Sequence, residues 1–267
     1  MISTKRLGLI FTAAILISTI IAGCQFDSQE PSTVVFILVD RSGSANNPHT
    51  NQIYTKFFRG DQGKTYGGIL GEIKDDTVLM GDVITENTMK TASYPLNVTF
   101  PKYNMWTTNK LKQKSEIHAA RKNAEQQFRK LLALPPAPKT DLMNAFQLAE
   151  QIFNGRKYKG AKHKVLVVFS DMLEQSDSYD FTAELLTDKR IDEIIASERK
   201  AGRLPDLRGV DVWCAGATSS PVPGVGVDSR KIREIRKFWL AYFKSAGADL
   251  GSDRYGPALV NFTLDSD

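Results

Sequence analysis

The sequence predicts an α/β fold, a doubly wound and mostly parallel sheet with helices on both faces. Two observations carry that expectation. Val34–Val39 and Lys164–Phe169 are short, nearly unbroken apolar runs rich in β-branched residues, as expected for strands buried on both faces of a parallel sheet. These and further strand candidates alternate with amphipathic helical segments along the chain.

The first 23 residues are set apart from that fold. Lys5 and Arg6 precede an apolar segment from Leu7 to Ile21, then Ala22, Gly23 and Cys24, the layout of a secretory signal. The end of it, Ile21-Ala22-Gly23-Cys24, resembles the lipobox of bacterial lipoproteins, which implies lipidation of Cys24 and cleavage before it. Residues 24–33 then read as a polar tether, and residues 34–267 as one domain. Removing residues 1–23 takes away two basic residues and no acidic ones, so the formal charge falls from +5 to +3. Cys214 is the only other cysteine and lies in the apolar run Val210–Ala215. With Cys24 acylated no internal disulfide remains, and Cys214 reads as a small buried hydrophobe.

The opening strand ends at Asp40. A polar loop follows, then a helix suggested by Ile53, Phe57 and Phe58, and a glycine-weakened helical piece over Tyr66–Lys74. Asp76–Thr85 reads as the second strand, and Tyr94–Phe100 as a third at an edge, because Pro95 stands near its start. Asn109–Leu134 is the longest helical candidate, with an apolar stripe from Leu111 through Ile117, Ala124 and Phe128 to Leu132. Pro135-Pro136-Ala137-Pro138 stops it. Thr140 or Asp141 caps a helix ending at Asn154-Gly155, and the strand Lys164–Phe169 leads to Ser170-Asp171. A helix over Thr182–Lys200, a strand over Val210–Ala215, a helix over Ser229–Ala246 and a last strand over Ala258–Leu264 complete the expected order.

Chemistry concentrates where the first strand stops. Asp40, Ser42 and Ser44 are hard oxygen donors at the carboxyl end of a buried strand, the donor type that holds a divalent cation. The plainer reading is a polar turn in which Ser44 or Asn46 caps the next helix. In a doubly wound sheet, ligands bind beyond the carboxyl ends of strands where the strand order reverses. If the strands ending at Asp40 and Asp171 are neighbours there, Asp40, Ser42, Ser44 and Asp171 share one crevice that Thr140 can also reach.

Asp40-x-Ser42-x-Ser44, then Thr140 followed by Ala145 and Phe146, then Asp171 after an apolar strand, resemble a von Willebrand factor type A domain and its metal-ion-dependent adhesion site. The likeness covers nearly all of the chain after the signal. It implies that Ser42, Ser44 and Thr140 hold a cation through hydroxyls, with Asp40 and Asp171 acting directly or through water. It also implies one coordination position left for an acidic residue of a partner protein. The chain departs from the family pattern in two places: Pro138-Lys139 stands for a frequent Gly-Gly, and Met172 for a frequent glycine. The expected cation is Mg2+, or else Mn2+ or Ca2+, with Mg2+ favoured over Ca2+ because few carboxylates are at hand.

Other motifs point elsewhere or nowhere. Gly60–Thr65 lacks the first glycine of a phosphate loop. His49, His118 and His163 have no ligand spacing, and no Gly-x-Ser-x-Gly elbow marks a nucleophile, so no enzyme is expected. The basic clusters Arg156–Lys159, Lys162–Lys164 and Arg230–Lys237 read as solvated faces, or alternatively as contacts with anionic lipid beside the anchor. The sequence thus predicts a protein-binding module held by Cys24 on a bacterial envelope membrane, facing periplasm or exterior, without nucleic acid or a small-molecule substrate. A structural scaffold with a vestigial metal site is the alternative, and a metal-dependent hydrolase a third reading.

Overall fold

The computed structural model describes residues 30–43, 45–61, 63, 65–103, 109–217 and 229–264. The chain divides into two compact units, Met1–Glu30 and Pro31–Asp267, and the fold described here is that of the second. Cys24 and Ser44 lie outside the described residues, as does the signal segment. Among the described helices none is long and apolar enough to cross a membrane.

In chain order the elements are β1 (Thr33–Asp40), α1 (Pro48–Arg59), α2 (Gly68–Glu72), β2 (Thr77–Ile84), α3 (Thr88–Thr91) and β3 (Leu96–Phe100). Then come α4 (Lys110–Leu132), α5 (Leu142–Phe153), β4 (His163–Phe169), α6 (Asp188–Lys200), β5 (Val210–Ala215), α7 (Ser229–Ser245) and β6 (Tyr255–Gly256). The sheet order is β3-β2-β1-β4-β5-β6, with only β3 antiparallel. The doubly wound α/β expectation therefore holds.

β1 is the centre of this arrangement, and its sequence says why. Val34, Phe36 and Leu38 enter the apolar core on one face of the sheet, while Val35, Ile37 and Val39 enter the core on the other, and all six are fully buried. Alternate residues of a strand face opposite ways, so a strand covered on both sides needs an apolar residue at every position. Helices α5, α6 and α7 cover the first face; α1 and α4 cover the second.

Local signals set most boundaries. Asn47 caps α1 by accepting from the Thr50 N–H at 2.9 Å, with Pro48 at the first helical position. The cap is thus neither Ser44 nor Asn46. Asn109 caps α4, and Asp141 caps α5 by accepting from Asn144 N–H at 2.9 Å.

Several expectations need correcting. The helix predicted from Thr182 starts at Asp188, because Asp180 Oδ1 accepts from the backbone of Thr182 and Ala183 and holds them in a turn, while Thr187 supplies the cap. No strand runs over Ala258–Leu264. The sixth strand is Tyr255–Gly256, paired with Cys214–Ala215, and Pro257 ends it by withholding a donor. The segment beyond still packs, with Phe262 against Trp213 and Phe57. The stripe of α4 does not begin at Leu111, which is 77% exposed, but at half-buried Ile117. Helix α2 keeps only five of the residues assigned to it, α3 is unforeseen, and Ser32 and Thr33 belong to the domain rather than to the tether.

Candidate metal centre

β1 and β4 lie side by side where the strand order reverses, with Val39 opposite Phe169, so Asp40 and the pair Ser170-Asp171 leave the sheet together. Asp40 is fully buried. Its Oδ1 accepts from the backbone N–H of Ser42 at 2.7 Å and from Thr140 Oγ1 at 3.3 Å. Its Oδ2 accepts from Ser170 Oγ at 2.7 Å. Burial pushes the Asp40 carboxyl above its usual range, and the hydrogen bonds from Ser170, Ser42 and Thr140 pull the other way.

Thr140 arrives from the other side of the crevice. Its N–H donates to Gln175 O at 3.2 Å and its carbonyl accepts from Gln175 N–H at 2.8 Å, so its loop is clipped to the segment after β4. Asp171 is half-buried at the same end, and its Oδ1 accepts from Leu173 N–H at 3.0 Å. The structure thus brings Asp40, Ser42 and Thr140 together and sets Asp171 beside them; Ser44 lies outside the described residues.

Three further residues shape the site. Ser170 bonds both Asp40 and the Met172 N–H, the latter at 2.9 Å. Arg41 is 4% exposed, yet its guanidinium turns away from Asp40: Nε and Nη2 donate to Leu134 O at 3.3 and 3.1 Å, and Nη1 to Asn51 Oδ1 at 3.2 Å. Burial lowers its pKa against the raising effect of Tyr54 and Asp40. Ala137 N–H donates to Arg41 O at 2.9 Å, so the proline-rich stretch that stops α4 also walls the loop. Tyr54 on α1 is fully buried and its hydroxyl has no partner among the described residues; burial with the charges of Asp40 and Asp171 raises its pKa well above the usual value.

The departure at Met172 has a visible consequence. Its φ is 64°, the left-handed region that a glycine enters freely and that costs other residues about 1–2 kcal/mol. Its side chain is fully buried in the core and its carbonyl accepts from Trp239 Nε1 at 2.8 Å, which holds the conformation in place. One turn further, Glu174 is fully buried, and its Oε2 accepts from the Leu142 and Met143 N–H groups that open α5. Burial and the charge of Asp141 push its pKa up to about 8.

The donor set of the crevice fits a hard divalent cation. The side chains of Asp40, Ser42, Thr140 and Asp171 offer only oxygen, and among the described residues no cationic side chain donates to Asp40. Among the described residues no three His, Cys, Asp or Glu side chains gather as a metal site, so the donor set here is half hydroxyl. His49 and His118 are exposed, His118 against Tyr66, and His163 opens β4 at the far end of the sheet. Cys214 is buried and free, its thiol pushed up by burial, as the sequence reading had it.

No protein-family model matches the chain, and no curated protein matches it either.

Proposed function

We propose that this chain is a membrane-anchored binding module of the von Willebrand factor type A kind, whose crevice captures an acidic side chain of a protein partner in a divalent-metal-dependent way. The observation that carries the reading is Asp40: a fully buried carboxylate at the strand-order reversal, bonded among the described residues to the neutral donors of Ser42, Thr140 and Ser170, with Asp171 beyond the end of the neighbouring strand. Such a group carries a desolvation cost that a bound cation offsets. Mg2+, or Mn2+ or Ca2+, held by Asp40, Ser42, Ser44, Thr140 and Asp171 would supply a Lewis-acidic position for a partner's carboxylate. Ser170 keeps Asp40 aimed, and the clip between Thr140 and Gln175 keeps the threonine within reach. Lipidation of Cys24 would hold the module on an envelope membrane.

The test is thermal melting of residues 25–267 in EDTA, Mg2+, Mn2+ and Ca2+, for wild type, Asp40→Ala and Asp40→Asn. A ligand bound only by the folded state raises its stability, and at about 100 times Kd the rise is about 5–10 °C for a domain of this size. A rise in the wild type alone is expected, together with metal-dependent retention of the chain on a carboxylate-bearing peptide matrix. No rise in any metal sinks the reading and leaves the scaffold.

A further inference from the structure

The amino ends of β1, β2, β4 and β5 lie along one edge, as the registers Thr33↔Thr77, Thr33↔His163 and Lys164↔Val210 require. The candidate metal centre stands at the opposite end of the same strands. Residues 154–162, which join α5 to β4, therefore fall at the amino end.

That connection is a closed turn. Tyr158 and Lys159 N–H groups donate to Gly155 O at 2.9 and 3.0 Å, and Ala161 N–H donates to Tyr158 O at 3.1 Å. Tyr158 and Ala161 bury their side chains in the core. With its backbone pinned from inside, the turn presents Arg156, Lys157, Lys159 and Lys162 to solvent. Of the acidic residues near the same edge, Asp76 pairs with Lys102, Asp206 pairs with Arg208, and Asp75 accepts from the Tyr103 N–H.

The turn is also bonded to the stretch through which the chain enters the domain. Lys162 and His163 N–H groups both donate to Ser32 O, at 2.9 and 3.0 Å. Cys24 stands eight residues before Ser32, a distance of at most roughly 28 Å fully extended. A lipid on Cys24 would keep this edge within about 28 Å of the headgroups.

We infer that the Arg156–Lys162 turn rests on anionic lipid headgroups, so that the metal centre faces away from the membrane. The inference rests on the anchor reading of Cys24. The tether fixes the choice of lipid over an acidic protein, because it holds a charged surface beside these four cations whatever else is bound. Each basic residue near an anionic surface strengthens partitioning roughly fivefold, and salt weakens the attraction within a Debye length.

The experiment is amine acetylation of the mature chain, as cells produce it, reconstituted in vesicles of phosphatidylcholine alone or with phosphatidylglycerol, read residue by residue by mass spectrometry. Lys157, Lys159 and Lys162 are expected to label several-fold more slowly on the anionic vesicles, and protection should vanish in about 0.5 M salt. Lys90 and Lys139, at the metal-centre end, should label alike in both. Equal labelling of the three lysines on vesicles that carry the chain overturns the inference while leaving the anchor intact. Failure of the chain to float with neutral vesicles overturns the anchor reading and the inference together. Equal protection by soluble polyglutamate on neutral vesicles would make an acidic protein the occupant and overturn the lipid assignment.

Discussion

Ser170 Oγ donates to Asp40 Oδ2 at 2.7 Å, joining the ends of β4 and β1 inside the core. Both groups are fully buried, so neither can turn to water when the bond is lost. The bond also holds the carboxylate in the orientation that leaves its neighbours Ser42 and Thr140 on the other oxygen.

Ser170→Ala should therefore lower stability by about 1–3 kcal/mol, since it strands a buried acceptor and frees the Met172 N–H as well. Urea unfolding checks it. Ser178→Ala, at an exposed position of the same loop, should stay within about 0.5 kcal/mol of wild type.

Arg41→Lys should cost about 1–3 kcal/mol although the charge is kept. An ammonium cannot reproduce the fork that reaches Leu134 O and Asn51 Oδ1 together. Amide exchange at Ala137, whose N–H donates to Arg41 O, should quicken in the variant and report loosening of the loop.

Glu174 gives the domain a pH dependence of defined sign. Its folded pKa of about 8 lies above the ordinary 4.5, so the folded state binds the extra proton between those values. Its contribution to stability is complete below pH 4.5 and is lost as the pH rises towards 8. Glu174→Gln keeps an acceptor for the Leu142 and Met143 N–H groups without the charge. The variant should flatten that slope and be the more stable protein at pH 8, as denaturant unfolding across the range will show.

Met172→Gly should destabilise the domain by roughly 1–4 kcal/mol. Relief of the left-handed backbone recovers about 1–2 kcal/mol, but losing a fully buried methionine side chain costs more. A variant as stable as wild type in urea would show that backbone strain outweighs core packing here.

The strands β1 and β4 were legible because burial on both faces forces an unbroken apolar run, and their ends drew attention to Asp40, Ser42, Thr140 and Asp171. Ser170 was equally visible, beside Asp171, but a serine closing a strand carries no sign that its hydroxyl points sideways to the next strand. The role of Arg41 could not be read at all, because its acceptor Leu134 lies 93 residues away. Glu174 looks in sequence like any surface acid; only the packing of α5 over it removes the water. Leu111 was misplaced because helical spacing does not say where a helix stops touching its sheet, and Ala258–Leu264 because alternation outlasts the ladder that Pro257 ends.

β1 carries the candidate metal centre on its last residue and the entry of the chain on its first. Tension applied by a captured partner and resisted at the anchor would enter through Asp40, Thr140 and Asp171 and leave along the axis of β1. It is laddered to β2 on one side and β4 on the other for nearly its whole length. Pulling in that direction shears both ladders at once, whereas an edge strand such as β3 could be peeled bond by bond. Rupture under force follows the unfolding rate rather than equilibrium stability. If the chain is anchored and captures a partner in this way, the mechanical strength of that attachment would rest on the central strand, whose eight residues are all buried.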